Sequence, residues 1–210
     1  MKRTRRPQLW ASERMARELG FQVVAGIDEV GLGPLAGPVV AGAVVLKIGE
    51  RLPGLNDSKQ LKHDQRVKLD RLIRRRAVAA AVGEVDPDEF NKIGMTRARQ
   101  RAMERAVGAL GLPVEYLLID AFDVPESPLP QLAVVKGDRS CASIMAASIV
   151  AKVHRDLAMV EFDRLYPGYG VALHKGYATA AHQEAIRLLG PSPIHRTSWI
   201  RVRQLAGLLC

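Results

Sequence analysis

The sequence predicts an α/β domain, and three observations carry that prediction. Short apolar, β-branched runs alternate with longer segments of helical periodicity, in an order that suits a sheet covered by helices. No repeat or low-complexity linker divides the 210 residues, and 48% of them are hydrophobic, enough to bury one sizeable core. The expected organisation is a basic N-terminal extension over residues 1–22 and one domain over residues 23–210, including its C-terminal helices and tail.

From Val23 to Leu46 the chain is apolar around a glycine-rich centre, GIDEVGLGPLAGP, which predicts two strands joined by a turn. Pro34 and Pro38 exclude a regular helix there. The stretch SKQLKHDQRVKLDRLIRRRA spaces Leu61, Leu69, Leu72 and Ile73 for a helix with one strongly basic face and Asp57 or Ser58 as its cap. AVAAAVGEV reads as a strand. Asp86-Pro87-Asp88-Glu89 then supplies a cap, a proline at the first helical position and a capping-box glutamate, opening a short helix. A longer helix is expected from Thr96 to Leu110, stopped by Gly111 and Pro113. VEYLLID reads as a buried strand ending on Asp120, and QLAVVKGD repeats the pattern with Asp138. SCASIMAASIVAKVHRDLAMVEFDRLY has no breaker and many small residues, so it is the expected core helix, with Ser140 at its N-cap and Ser148 under the sheet. A glycine-rich loop, PGYGVALHKGY, a helix from about Thr179 to Leu189 and a basic tail complete the chain.

A formal charge of +9 favours a polyanionic partner, because lysines and arginines gain affinity by releasing counterions from phosphates. A merely basic surface would give the same number. Cys141 and Cys210 form neither a CxxC pair nor a disulfide framework. The basic start is not followed by a signal-like apolar stretch, and no charge-free run reaches membrane-spanning length. The expectation is therefore a soluble, cytoplasmic protein without a membrane partner; a monomer is expected alongside it.

Asp28, Asp120 and Asp138 are all expected at C-terminal strand ends, where open α/β sheets place their sites. One acid at such a place is usually a turn former or cap; three are harder to dismiss. Asp28 and Glu29 are adjacent carboxylates in an apolar segment, so each carries a desolvation cost that a cation must offset. Oxygen ligands suit Mg²⁺ or Mn²⁺, and no histidine or cysteine cluster indicates zinc. Neighbouring strand residues alternate faces, so both acids serve one site only near a strand end, bulge or turn.

Two rival readings fail on context. Gly31, Gly33 and Ala36 fit a dinucleotide-binding pattern, but a strand rather than a helix follows, and two carboxylates would repel the phosphates. Acyl-transfer chemistry lacks a GxSxG, and Cys141 has no evident partner base, which makes it a small core residue.

Taken together, GIDEVGLGPLAGPVV, DSKQL at 57–61, LIDAF around Asp120, KGDRSCASIMAASIVAKVHRD, HKGYAT and PSPIHRTS resemble the bacterial type 2 ribonucleases H, the ribonuclease HII family, over roughly Val23 to Ser198. Type 3 relatives carry a sizeable N-terminal domain, for which the residues before Val23 leave no room. The resemblance implies a ribonuclease H-like mixed central sheet flanked by helices, with a C-terminal helical portion. It implies that Asp28, Glu29, Asp120 and Asp138 bind Mg²⁺ or Mn²⁺ and support two-metal hydrolysis of the RNA strand of RNA–DNA hybrids and of DNA duplexes at embedded ribonucleotides. The products would be 3′-hydroxyl and 5′-phosphate ends.

It further implies that the backbone of Gly31, Leu32 and Gly33 and the side chain of Tyr177 detect the ribonucleotide, with Lys59 and Lys136 as phosphate contacts. The family's usual loop is G-R-G, so Leu32 removes a positive side chain beside the substrate. The tail QLAGLL, within Gln204–Cys210, loosely resembles peptides that dock on replication sliding clamps. The alternative from another class is a catalytically silent nucleic-acid-binding domain. Against it, acids beside a phosphate weaken simple binding unless metals offset them.

Overall fold

The residues flanking the glycine-rich segment form a hairpin in which β1, Val24–Val30, pairs antiparallel with β2, Val39–Val45. In the computed structural model, which describes residues 9–124 and 127–208, β3 (Ala79–Val85) pairs antiparallel with β2. β4 (Tyr116–Asp120) and β5 (Gln131–Val134) add in parallel on the other side of β1. The sheet order is β3-β2-β1-β4-β5, the mixed sheet expected. The connections diverge between β1 and β4, leaving a crevice beyond the C-terminal ends of that parallel pair. The basic start at residues 2–6, and Cys210, lie outside the described residues.

Strand alternation decides what each face buries. Ala25, Ile27, Ala41, Ala43, Leu117 and Ile119 pack with Phe90, Ala98, Ala102 and Met103 of α3, Pro87–Gly108. The opposite face carries α5, Ala142–Leu165, flanked by α2, His63–Arg76, and α1, Ala11–Glu18. The small residues of α5 let it lie directly on the sheet: a methyl on Gly42 would stand 2.2 Å from the carbonyl oxygen of Ala147. Beyond α5, α6 (Val171–His174), α7 (Ala180–Leu189) and α8 (Ile200–Leu205) follow a short α4, Gly137–Ser140, in chain order. These C-terminal helices bury Ile186, Val202 and Leu205 against Leu35, Ala36 and Met159, so they are built onto the glycine-rich turn.

Four local expectations change. The stretch from Ser58 does not make one helix: Asp57 accepts a bond from the Lys59 amide and closes a 3₁₀ turn over Ser58–Gln60, Leu61 is extended, and α2 begins at His63. The two helices expected around Thr96 join end to end as α3, broken at Gly94 (φ 76°), and end at Gly108. Asp138 is not at a strand end. β5 stops at Val134, and Lys136 in the left-handed region turns the chain so that Asp138 falls in α4. Ser140 does not cap α5 either: its hydroxyl donates to Lys136 O, and Cys141 occupies the cap position, fully buried as a core residue whose thiol burial pushes up.

Candidate active site

Ile27 pairs with Ile119, so Asp28 is level with Asp120, the last residue of β4. β1 runs on beyond that point, which leaves Glu29 beside an open end of the sheet. No bulge is needed. Asp28 faces α5, with Ser148 lining the same cleft, and its Oδ1 accepts from the Glu29 amide at 2.8 Å. Glu29 faces α3, where Arg99 Nε stands 3.4 Å from Oε1. Asp120 Oδ1 accepts from the amides of Gly137 (2.8 Å) and Asp138 (3.4 Å), so the left-handed turn at Lys136 brings the fourth acid to the third. Asp138 Oδ2 in turn accepts from Lys59 Nζ at 2.9 Å.

Asp28, Glu29 and Asp120 line one cleft of about 380 Å³ together with Lys59 and Tyr177. Burial, reinforced by Glu29 and Asp120, pushes the Asp28 carboxyl up to about 8. Burial and the neighbouring Asp120 also raise Glu29 against the pull of Arg99, and burial with Asp138 raises Asp120. Crowded acids with raised pKa values in a cleft mark it as a candidate functional site. Among the described residues no three acids, histidines or cysteines already converge as a ready cage. Lys59 and Arg99 hold Asp138 and Glu29 instead. The donor set nevertheless fits a hard divalent ion: all the donors are carboxylate oxygens, and Glu29 Oε2 is buried without a hydrogen-bond partner.

The glycine-rich turn sits on two fully buried arginines. Arg196 donates to the carbonyls of Gly31, Leu32 and Gly37; Arg155 donates to Ala36, Pro38 and Lys175. With its carbonyls held from below, Gly33 is left exposed, and Tyr177, 47% exposed, stands across from it. The Leu32 side chain packs partly against the core cluster on the α3 face. Lys136 is exposed on its turn and is not among the residues that line the cleft.

The sequence did not mark Arg66 or Lys152 for the site, and it marked Ser148 only as a small residue under the sheet, yet all three line the cleft. Ser148 also bonds Ser58 at 2.8 Å, while Arg66 and Lys152 share the buried carboxylate of Asp156. The signals were present in the basic face of α2 and the four-residue spacing of Ser148 and Lys152, which puts both on one side of α5.

A family model described as Ribonuclease HII matches residues 25–202. The chain is 49% identical over 201 residues to the Ribonuclease HII of Geobacter sulfurreducens, covering 96% of this chain and 93% of that protein. Among solved structures it is similar to the ribonuclease H2 of Pyrococcus horikoshii OT3, at 27% identity and a TM-score of 0.75 over 89% of this chain and 98% of the other. A second likeness, at 27% identity and a TM-score of 0.72, covers 87% of this chain and 96% of the ribonuclease HII in the PCNA:RNase HII complex of Archaeoglobus fulgidus. With the sheet order, the paired strand-end acids and the arginine-held glycine-rich turn already in place, these matches show that the chain belongs to the ribonuclease HII family of RNA–DNA hybrid endonucleases.

Proposed function

We propose that Asp28, Glu29, Asp120 and Asp138 hold divalent ions, Mg²⁺ or Mn²⁺, and that the chain incises DNA duplexes at embedded ribonucleotides as well as the RNA strand of hybrids. The observation that carries this reading is the level placement of Asp28 and Asp120 on parallel neighbours, with Glu29 opening onto the same cleft. When bound, the ions supply an activated water and stabilise charge on the leaving 3′-oxygen, giving 3′-hydroxyl and 5′-phosphate ends. The protein's own groups do the rest. Gly137 and Asp138 amides fix the Asp120 carboxylate, and the Glu29 amide fixes Asp28. The rigid turn at Gly31–Leu32–Gly33 and Tyr177 form the two sides between which a ribose 2′-hydroxyl is detected. Lys59 and Lys136 contact phosphates, with Arg66 and Lys152 added on the cleft wall.

In this reading residues 23–210 are one catalytic domain acting as a monomer in the cytoplasm, and 1–22 are a basic extension whose helix α1 docks on it through buried Glu13. Among the described residues no helix is long and apolar enough to cross a membrane. The tail from Gln204 is proposed to reach a sliding clamp. Leu208 is 56% exposed and available for docking, whereas Leu205 is buried in the C-terminal cluster. Loss of a clamp pull-down on deleting Gln204–Cys210 tests that part; no binding by the intact chain ends it.

The central test is incision of a labelled DNA duplex containing one ribonucleotide, with Mg²⁺, Mn²⁺ or chelator, beside an all-DNA duplex and the Asp138→Asn variant. Cutting that needs both metal and Asp138 supports the reading. Duplex binding without cutting would leave only a nucleic-acid-binding role.

A further inference from the structure

Two ion pairs engage the proposed metal-binding acids among the described residues, and they differ in how freely the cation can leave. Lys59, on Asp138, has a side chain 73% exposed and can swing into solvent when the carboxylate is needed elsewhere. Arg99, on Glu29, is only 18% exposed. Its guanidinium lies over the Phe122 ring at 4.9 Å, a cation–π contact that pins it to the loop after β4. The Arg99–Glu29 contact is one of charge rather than of hydrogen bonds: Nε and Nη2 of Arg99 make none, and Glu29 Oε2 is likewise without a partner. Glu29 therefore keeps an oxygen for another cation while its other oxygen faces a fixed positive group.

We propose that Arg99 is a positioning residue of the metal centre: it stays beside Glu29 when metal binds, fixes the direction of that carboxylate, and moderates the affinity of the site for divalent ions. The inference rests on the reading of Glu29 as a metal ligand. The face of the strand explains why a separate cation is required. Asp28 Oδ1 is held by the Glu29 amide and Asp120 by the amides of Gly137 and Asp138, but Glu29 lies on the opposite, α3 side of β1 and its Oε2 has no hydrogen-bond donor. Arg99, projecting from α3, is the group placed to orient it. A fixed positive charge a few ångströms from the donors also opposes a divalent ion electrostatically, so orientation is gained at some cost in affinity.

The two effects have opposite signs, which makes them separable. The experiment is calorimetric titration of Mn²⁺ into the metal-free full chain, for wild type, Arg99→Met, Arg99→Lys and Glu29→Gln, beside incision kinetics at saturating Mn²⁺. Arg99→Met is expected to bind Mn²⁺ about fivefold more tightly and to turn over about tenfold more slowly, with KM within about twofold of wild type. Arg99→Lys retains the charge and is expected to keep wild-type affinity while recovering most of the turnover. A general loss of structure would weaken metal binding and turnover together, so tighter binding with slower turnover is not produced by misfolding; if Arg99→Met does not fold, Arg99→Gln carries the same expectation. Mn²⁺ affinity unchanged or weaker in the uncharged variant, or unchanged turnover, overturns the proposal. Glu29→Gln separates the two readings. If it leaves Mn²⁺ binding intact, the metal-ligand assignment itself fails. If it weakens binding while removal of Arg99 does not tighten it, only the role of Arg99 fails.

Discussion

Lys59 Nζ donates a 2.9 Å hydrogen bond to Oδ2 of Asp138, joining a lysine side chain 73% exposed to a carboxylate side chain 6% exposed. A pair with one partner so open contributes little to folding, so Lys59→Ala should change unfolding stability by less than about 0.5 kcal/mol. Its effect belongs to substrate. If the lysine leaves Asp138 to meet a phosphate, the variant should bind hybrid more weakly, with the slope of log affinity against log salt smaller by about one. An unchanged salt slope would make Lys59 a local partner of Asp138 and nothing more.

The stability that the Asp28 proton gives the metal-free protein should be lost as pH rises. Burial first, then the neighbouring acids, lifts the Asp28 carboxyl from an ordinary 3.8 to about 8. The native state thus holds this proton more tightly than the unfolded chain does. That stabilising contribution is complete below the unfolded value of 3.8 and is lost progressively as pH climbs to about 8. In chelator, the difference in melting temperature between wild type and Asp28→Asn should change progressively across this window as the wild-type contribution is lost, and the variant should abolish incision. Added Mn²⁺ should offset the loss most at the alkaline end, where no proton competes. A variant that melts as wild type does at every pH would refute the assignment of the slope to Asp28.

The sheet and its main acids were legible because their signals are local. β-branched runs, Pro38 and the Asp86-Pro87 cap each act within a few residues, and Asp28 and Asp120 do stand near the ends of parallel strands. Asp138 comes next to Asp120, but not from the strand end expected for it. Nothing in QLAVVKGD announces that Lys136 adopts a left-handed conformation and that α4 follows. The face problem posed by adjacent Asp28 and Glu29 was visible in the sequence, but its solution was not. It depends on β4 stopping one residue beyond its pairing with Ile27 and on Arg99, seventy residues along the chain, arriving from α3. The arginines under the glycine-rich turn were equally hidden, since a sequence shows that Arg155 and Arg196 are charged but not that backbone carbonyls are their partners.

Arg155 ties together the two elements proposed to recognise the ribonucleotide. It donates to Pro38 O (2.9 Å) and Ala36 O (3.1 Å) of the turn and to Lys175 O (3.0 Å), two residues before Tyr177. Arg155→Met keeps much of the volume and removes every donor, leaving buried carbonyls unsatisfied. It should destabilise the fold by about 3 kcal/mol. In protein that remains folded at low temperature, preference for a ribonucleotide-containing duplex over all-DNA should drop while metal binding is retained. Wild-type discrimination in this variant would show that the turn and Tyr177 hold their places without the clamp.

Leu32 occupies the place where the family's usual loop has arginine, and its environment sets what restoring that arginine can do. The Leu32 carbonyl is held by Arg196 at 2.7 Å, so the backbone at this position is fixed independently of the side chain. The side chain itself packs partly against the core cluster on the α3 face. Leu32→Arg should therefore leave the turn in place, lose about 1 kcal/mol of packing, and carry its charge outward toward the nucleic acid. Hybrid binding should tighten, with a salt slope steeper by about one phosphate contact, and the preference between single ribonucleotides and longer RNA tracts should shift. Incision and binding compared for both substrates at matched salt decide the matter. If affinity, slope and preference all stay at wild-type values, the positive side chain has no function at this position, and recognition by the turn rests on its backbone alone.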